Sequence, residues 1–224
     1  MELTIDVGNT FTKIGVFSDS EMVHKITIQQ NDFKTVIKNI KKEYPSIQSA
    51  IVSSVANIAK DDLTLVTNLF KTLILDHSTK MPFKNLYKTP ETLGIDRLVL
   101  VAAAVDQFPN NNVLIIDAGT CITYDFKNSK QEYLGGAISP GIRLRYTSLN
   151  AYTSKLPLLA FQEPESSLGD STKTAIHAGV VMGVVHEING VINEYCNIYS
   201  DLTVIFTGGD SHFLSKRLKN SIFA

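Results

Sequence analysis

Apolar positions change period in a regular order along the chain. Leu3 and Ile5 alternate with polar neighbours and lead to Asp6; after Gly8, Asn9 and Thr10 a second apolar run opens at Ile14. That pattern predicts strand, tight turn, strand. The runs 13–17 and 22–28, on either side of Ser18, Asp19 and Ser20, predict a hairpin. Phe33, Val36, Ile37 and Ile40 then recur at helical spacing, with Asp32 before them and Lys41 and Lys42 after, as the helix dipole favours. Pro45 ends that helix. A buried strand over 47–55 closes in Ser53 and Ser54; a helix over 63–70 and a short strand over 72–75 follow. Strands first and crossover helices after them predict an α/β half-domain.

Residues 76–93 carry Pro82, Pro90 and few periodic apolar positions, and read as an irregular connection of the kind that often bears function. A strongly apolar helix begins at Asp96 and Arg97. Strands over 113–117, 121–126 and 131–138 come next, with a turn at 127–130. Pro140, after Gly135 and Gly136, is expected in the first turn of a helix from Ile142 towards Leu149. A loop over 161–169 leads to a long helix, 173–199, capped by Ser171 or Thr172. Its stripe is Ile176, Val180, Val184, Ile188, Val191, Ile192 and Tyr195. Gly179 and Gly183 on that helix predict close packing, in the core or between two copies of the chain. The last strand, 202–207, runs into Gly208, Gly209 and Asp210, which suits an adenosine-binding edge or an ordinary turn.

The first turn has a counterpart in the second half. Asp6, Gly8 and Thr10 are echoed by Asp117, Gly119 and Thr120, each set following an apolar strand. Gly8 allows a close backbone approach, Lys13 can neutralise phosphate charge, and Asp6 can hold a metal ion directly or through water. One such turn reads as a plain hairpin; two predict a duplicated chain, with half-domains at 1–112 and 113–224. Asp96 at a helix start is either a first-turn cap or a general base. Arg97 beside it is unfavourable for the dipole and calls for an anion nearby.

Composition narrows the classes. A 44% hydrophobic, 19% charged chain of 224 residues can bury a core. Its net charge of −1, without a basic run, argues against a grip on nucleic acid. Cys121 and Cys196 have neither disulfide nor metal spacing and are expected to be buried. His177 and His186 read as structural or solvent-facing. A strand starting almost at the N-terminus predicts no signal peptide, and no apolar run is expected to cross a bilayer, so the expected location is cytoplasmic, with no membrane partner.

Two strand-end carboxylates on Gly/Thr turns resemble the superfamily of actin, the heat-shock chaperone ATPases and the sugar and acetate kinases. The resemblance implies an α/β fold of duplicated actin-like ATPase (ribonuclease H-like) half-domains. These would have mixed sheets, helices on both faces and a nucleotide cleft between them. The further order of motifs resembles the type III pantothenate kinases: Asp6-Val-Gly-Asn-Thr10 with Lys13, Tyr87-x-x-Pro90-x-x-Leu93-Gly94-x-Asp96-Arg97, Asp117-Ala-Gly-Thr120, Gly135-Gly-x-Ile138-x-Pro140-Gly141, Thr153-x-x-Leu156-Pro157, Gly169-x-x-Thr172 and Thr207-Gly-Gly-Asp210. The chain departs from that pattern at Ile95, where Ala is usual, and at Asp170, where a basic residue is common. It is also expected to lack the family's last segment.

The resemblance implies phosphoryl transfer from ATP to the terminal hydroxyl of pantothenate. It implies ATP binding by Asp6, Val7, Gly8, Asn9, Thr10, Phe11, Thr12, Lys13 and Thr120. It assigns Mg²⁺ to Asp6, a monovalent cation (K⁺ or NH₄⁺) to Asp117, and catalysis to Asp96. Tyr87, Gly94, Ile95, Asp96, Arg97 and Thr172 would line the pantothenate pocket of a homodimer. A sugar- or acetate-type kinase and a non-catalytic nucleotide-binding regulator are the alternatives.

Overall fold

The computed structural model describes residues 1–8, 11–54, 58–218 and 222–223. The chain divides into two compact units, 1–81 with 89–99, and 82–88 with 100–224.

In the first unit the expected strand-turn-strand is β1 (Glu2–Val7) and β2 (Thr12–Ser18), followed by β3 (Glu21–Ile28). Asp19 and Ser20 both take positive φ, 47° and 70°, the twist a two-residue hairpin turn needs. Helix α1 (Phe33–Glu43) buries Phe33, Ile37 and Ile40 and carries Lys41 and Lys42 in its last turn. Strand β4 (Ser49–Ser54), helix α2 (Lys60–Leu69) and strand β5 (Lys71–Ile74) complete a sheet of order β3-β2-β1-β4-β5. Val55, expected to end β4, lies outside the described residues. The core joins Leu3, Ile5, Ile14 and Val52 of the sheet to Ile37 and Val66 of the helices. Each such fully buried side chain contributes about 1.5–3 kcal/mol.

The connection at 76–93 is less irregular than expected. It holds a short strand, β6 (Lys84–Asn85), and a 3-10 turn at Pro90–Thr92. Helix α3 (Ile95–Gln107) begins in the first unit and ends in the second. Strands β7 (Asn112–Ala118), β8 (Cys121–Lys127) and β9 (Glu132–Pro140) form a meander. Helices α4 (Ile142–Ala151) and α5 (Thr172–Ile198), strand β10 (Leu202–Thr207), helix α6 (Ser211–Ser215) and strand β11 (Ile222–Phe223) follow. The second sheet has the order β11-β10-β7-β8-β9-β6. Apart from β6 it repeats the first, strand for strand: β7 to β11 stand where β1 to β5 do. The duplication expected from two Asp-Gly-Thr turns is therefore one of topology.

The compact units do not meet at the expected 112/113 boundary. Parallel pairing of β6 with β9 draws 82–88 into the second unit. The end of α3 is held there too, since Lys127 Nζ donates to the Phe108 carbonyl and, at 3.4 Å, to that of Pro109. Lys127 was expected in a turn; it is the fully buried last residue of β8, and burial lowers its pKa.

Other expectations change as well. Pro140 is the last residue of β9, and Gly141 precedes α4. Pairing with Cys121 continues to Pro140, where a strand end tolerates the missing N–H. Cys121 and Cys196 are exposed, at a strand start and near the end of α5. Helix α5 is long and apolar enough to cross a membrane by length and composition, contrary to the sequence reading. Its stripe instead enters the core of the second unit through Ile176, Val180, Val184, Ile188 and Ile192. Ser171 caps it reciprocally with Thr174, and Thr172 is its first residue. Among the described residues a Cβ at Gly179 would meet nothing within 4 Å, so packing against them does not account for that glycine.

Candidate active site

Asp6 sits near the C-terminal end of β1, directly opposite Lys13 on β2 and Ser53 on β4. Side chains at paired positions share a face, and Leu3, Ile5 and Val7 fill the other with the core. The Ser53 hydroxyl donates to Asp6 Oδ1 at 3.2 Å. Ser53 was not expected in the site; its signal was a Ser-Ser pair ending a buried strand parallel to β1. Val7 and Thr12 are buried, so only their backbone faces outward chemistry, whereas Phe11 and Lys13 are exposed. Gly8 N–H donates to the Phe11 carbonyl at 3.1 Å and closes the turn. Asn9 and Thr10 lie outside the described residues.

The second unit repeats this at Asp117, opposite Thr123 on β8 and Thr207 on β10. Asp117 points away from the face where Leu114, Ile116 and Ala118 join the core. Gly208 presses on it: φ is +102°, and a Cβ there would come within 2.3 Å of the Ala118 carbonyl oxygen and 2.4 Å of Asp117 Oδ1. Asp210 N–H donates to the same Ala118 carbonyl at 2.9 Å. The Gly208-Gly209-Asp210 turn is thus built onto the Asp117 turn, and burial raises the Asp210 pKa. Beside Gly209 and Asp210 a cavity of about 770 Å³ opens, lined also by Arg143 of α4, Phe161 and His212.

Thr120 is steadied from behind. Its carbonyl accepts Gly141 N–H at 3.1 Å, and Arg145 Nε donates to the Pro140 carbonyl at 2.9 Å. Arg145 also pairs with Glu187 of α5, which accepts the Tyr124 hydroxyl at 2.8 Å. Burial pushes the Glu187 carboxyl up, but hydrogen bonds from Arg145, Tyr124 and Ser139 outweigh it and hold the pKa below the usual value. Burial and the same carboxylate raise Tyr124. Arg145 and Glu187 were not singled out from sequence, being 42 residues apart.

Asp96 and Arg97 lie in the first turn of α3, as expected. Asp96 Oδ1 accepts Arg97 N–H at 2.9 Å, so the carboxylate closes part of the helix start whatever else it does. The Arg97 side chain is buried. His77 Nε2 meets the Leu93 carbonyl at 2.9 Å and fixes the chain just before Gly94; its sequence distance hid it. Ile95 is buried, whereas Thr172 is exposed. Tyr87 is half-buried and stacks on Tyr133. His177 is structural, as expected: buried, its Nδ1 2.7 Å from the Tyr146 hydroxyl, with burial lowering its pKa. Among the described residues no group of three or more His, Cys, Asp and Glu could hold a metal. Asp6 and Asp117 still offer hard carboxylate oxygens, which suit Mg²⁺ or K⁺ completed by water and phosphate.

The sequence profile of the type III pantothenate kinases matches residues 2–194. The chain belongs to this family. It is 48% identical over its full length to the type III pantothenate kinase of Flavobacterium johnsoniae and 41% identical to that of Bacteroides fragilis strain YCH46. In each case it covers 92% of the relative. Among solved structures, one from Campylobacter jejuni, described as a candidate Baf family transcriptional activator, superposes with a TM-score of 0.63. It is 24% identical, with 99% of this chain and 90% of that one covered. A candidate N-acetylmannosamine kinase from Listeria monocytogenes superposes at 0.53 and 12% identity, covering 100% and 92%. These two likenesses concern the fold of this chain alone.

Proposed function

We propose that the protein transfers the γ-phosphoryl group of ATP to the terminal hydroxyl of pantothenate, giving 4′-phosphopantothenate, the first step of coenzyme A synthesis. The observation that carries this reading is the family match over residues 2–194, joined to intact carboxylates at Asp6, Asp96 and Asp117.

Phosphoryl transfer depends mainly on positioning and on neutralising charge. The turn at Gly8–Lys13 and Thr120 take the ATP phosphates, with the Lys13 ammonium supplying charge. Asp6 would hold Mg²⁺, directly or through water, and Asp117 would hold K⁺ or NH₄⁺, which would supply positive charge for the phosphate oxygens. The cavity beside Gly209 and Asp210 supports a place for the nucleoside. Asp96 takes the proton of the pantothenate hydroxyl. Arg97 steadies the pantothenate carboxylate or the transferring group, and Tyr87, Gly94, Ile95 and Thr172 contact pantothenate. The open outer face at Gly179 supports a homodimer, and the same reading places the enzyme in the cytoplasm.

Asp96→Asn tests the mechanism. Loss of a general base lowers kcat by about 10²–10⁴-fold while ATP still binds. If Asp96 only closes the helix, Asn replaces it within a few tenths of a kcal/mol, and near-normal turnover at unchanged stability removes it from the chemistry.

A further inference from the structure

We infer that Tyr133, anchored by the buried Asp125, is a positioning residue for Tyr87, so that the three side chains form one support for the pantothenate-contacting ring. The inference rests on the reading of Tyr87 as a substrate contact.

The chain just before Tyr87 is fixed to β9: Leu86 N–H donates to the Tyr133 carbonyl at 3.0 Å, and Tyr87 N–H donates to Asn85 Oδ1 at 2.9 Å. The rings of Tyr87 and Tyr133 stack with centroids 6.0 Å apart and planes 19° apart. Phe83 meets Tyr133 edge-on at 6.1 Å. A bulge in β9 shapes the contact. Phe126 pairs with Gly135 and Lys127 with Tyr133, leaving Leu134 as the extra residue. Gly135 takes φ +111°, and a Cβ there would lie 3.3 Å from the Tyr87 ring. Tyr87 therefore rests on Tyr133 and against the backbone of the bulge.

Behind Tyr133 lies Asp125, with 0% of its surface exposed, accepting the Tyr133 hydroxyl at 2.6 Å. A carboxyl at that depth is costly unless hydrogen-bonded. Phenylalanine at 133 with an apolar residue at 125 would fill the space more cheaply. The proposed phosphoryl transfer gives Asp125 no role. What the bond does is fix the far end of the ring on which Tyr87 stacks, so the polar pair contributes orientation rather than burial.

The test measures kcat and the KM of each substrate for Tyr87→Ala, Tyr133→Leu and the double variant. Each single change should raise the KM for pantothenate about 3–10-fold, the effect of one lost aromatic pair, with kcat and the KM for ATP within about twofold. The double variant should be no worse than Tyr87→Ala, because Tyr133 acts through Tyr87. Multiplying effects overturn the proposal. So does an unchanged pantothenate KM in Tyr133→Leu when Tyr87→Ala raises it. No effect in Tyr87→Ala overturns the reading of Tyr87 and the proposal with it. If Tyr133→Leu does not fold, Tyr133→Phe keeps the ring and loses only the Asp125 bond. The chain has no tryptophan, so Tyr87→Trp provides a single fluorescent reporter. Tyr133→Phe should lower its anisotropy and raise the pantothenate KM about two- to fourfold; both unchanged overturn the proposal.

Discussion

Glu187→Ala removes the acceptor at the centre of the polar network behind Thr120. Arg145 and the Tyr124 hydroxyl both end on its carboxylate. Tyr124 is 2% exposed, and the side chains of Arg145 and Glu187 are 21% and 29% exposed. An exposed ion pair contributes about 0.2–1 kcal/mol, and breaking a fully buried one costs about 3–5. This pair lies between those limits, and an orphaned tyrosine hydroxyl adds about 1–3 kcal/mol. A net loss of about 2–4 kcal/mol is expected, which for a chain of this length lowers Tm by about 5–15 °C. Glu187→Gln keeps an acceptor for Tyr124 and should lose about half as much.

The pH dependence has a definite sign. Glu187 has a depressed pKa in the folded protein, so its stabilisation is complete above the ordinary glutamate value and is lost as pH falls through the folded value. The penalty of Glu187→Ala should therefore shrink below about pH 4. Thermal unfolding followed by circular dichroism at neutral and acid pH measures it. A Tm within about 1 °C of the parent at pH 7, or a penalty that grows on acidification, refutes the reasoning. Because Arg145 also holds the Pro140 carbonyl beside the Gly141–Thr120 bond, the KM for ATP should rise in the same variant.

Gly208→Ala should destabilise by about 1–3 kcal/mol through its positive φ and its contact with Ala118. Gly209→Ala, where a Cβ meets nothing within 4 Å among the described residues, should be nearly neutral; equal effects in denaturant unfolding would remove the steric account. Asp117→Asn should abolish activation by K⁺ or NH₄⁺ in an assay that varies the monovalent salt at constant ionic strength, and retained full activation would exclude Asp117 as the ligand. Ser171→Ala should cost α5 about 1 kcal/mol by loss of its reciprocal cap, read as a lower unfolding midpoint, and no change would mean that core packing alone sets the helix start.

Local chemistry made much of this protein legible in advance. Apolar runs between turn residues marked the strands of both meanders, alternating in β1 and continuous in β7, which is buried on both faces. The Asp6 and Asp117 turns showed the duplication, and the Pro90–Arg97 stretch marked a helix opening with Asp96. The residues missed have partners that no local period reveals, across the chain or across a bulge. Ser53 meets Asp6 across parallel strands, His77 meets Leu93, Glu187 meets Arg145, and Asp125 meets Tyr133 across a bulge. Composition suggested buried cysteines, yet both are exposed, because strand and helix ends decide that and thiol polarity does not. Sequence by itself determined which segments form elements and which carboxylates end strands, since periodicity and turn chemistry act over a few residues. Only the tertiary structure decided that β6 joins β9, that Lys127 is buried at the end of α3, and that Tyr87 rests on Tyr133. Those outcomes depend on strand register and on hydrogen bonds between groups far apart in the chain, which no local pattern encodes.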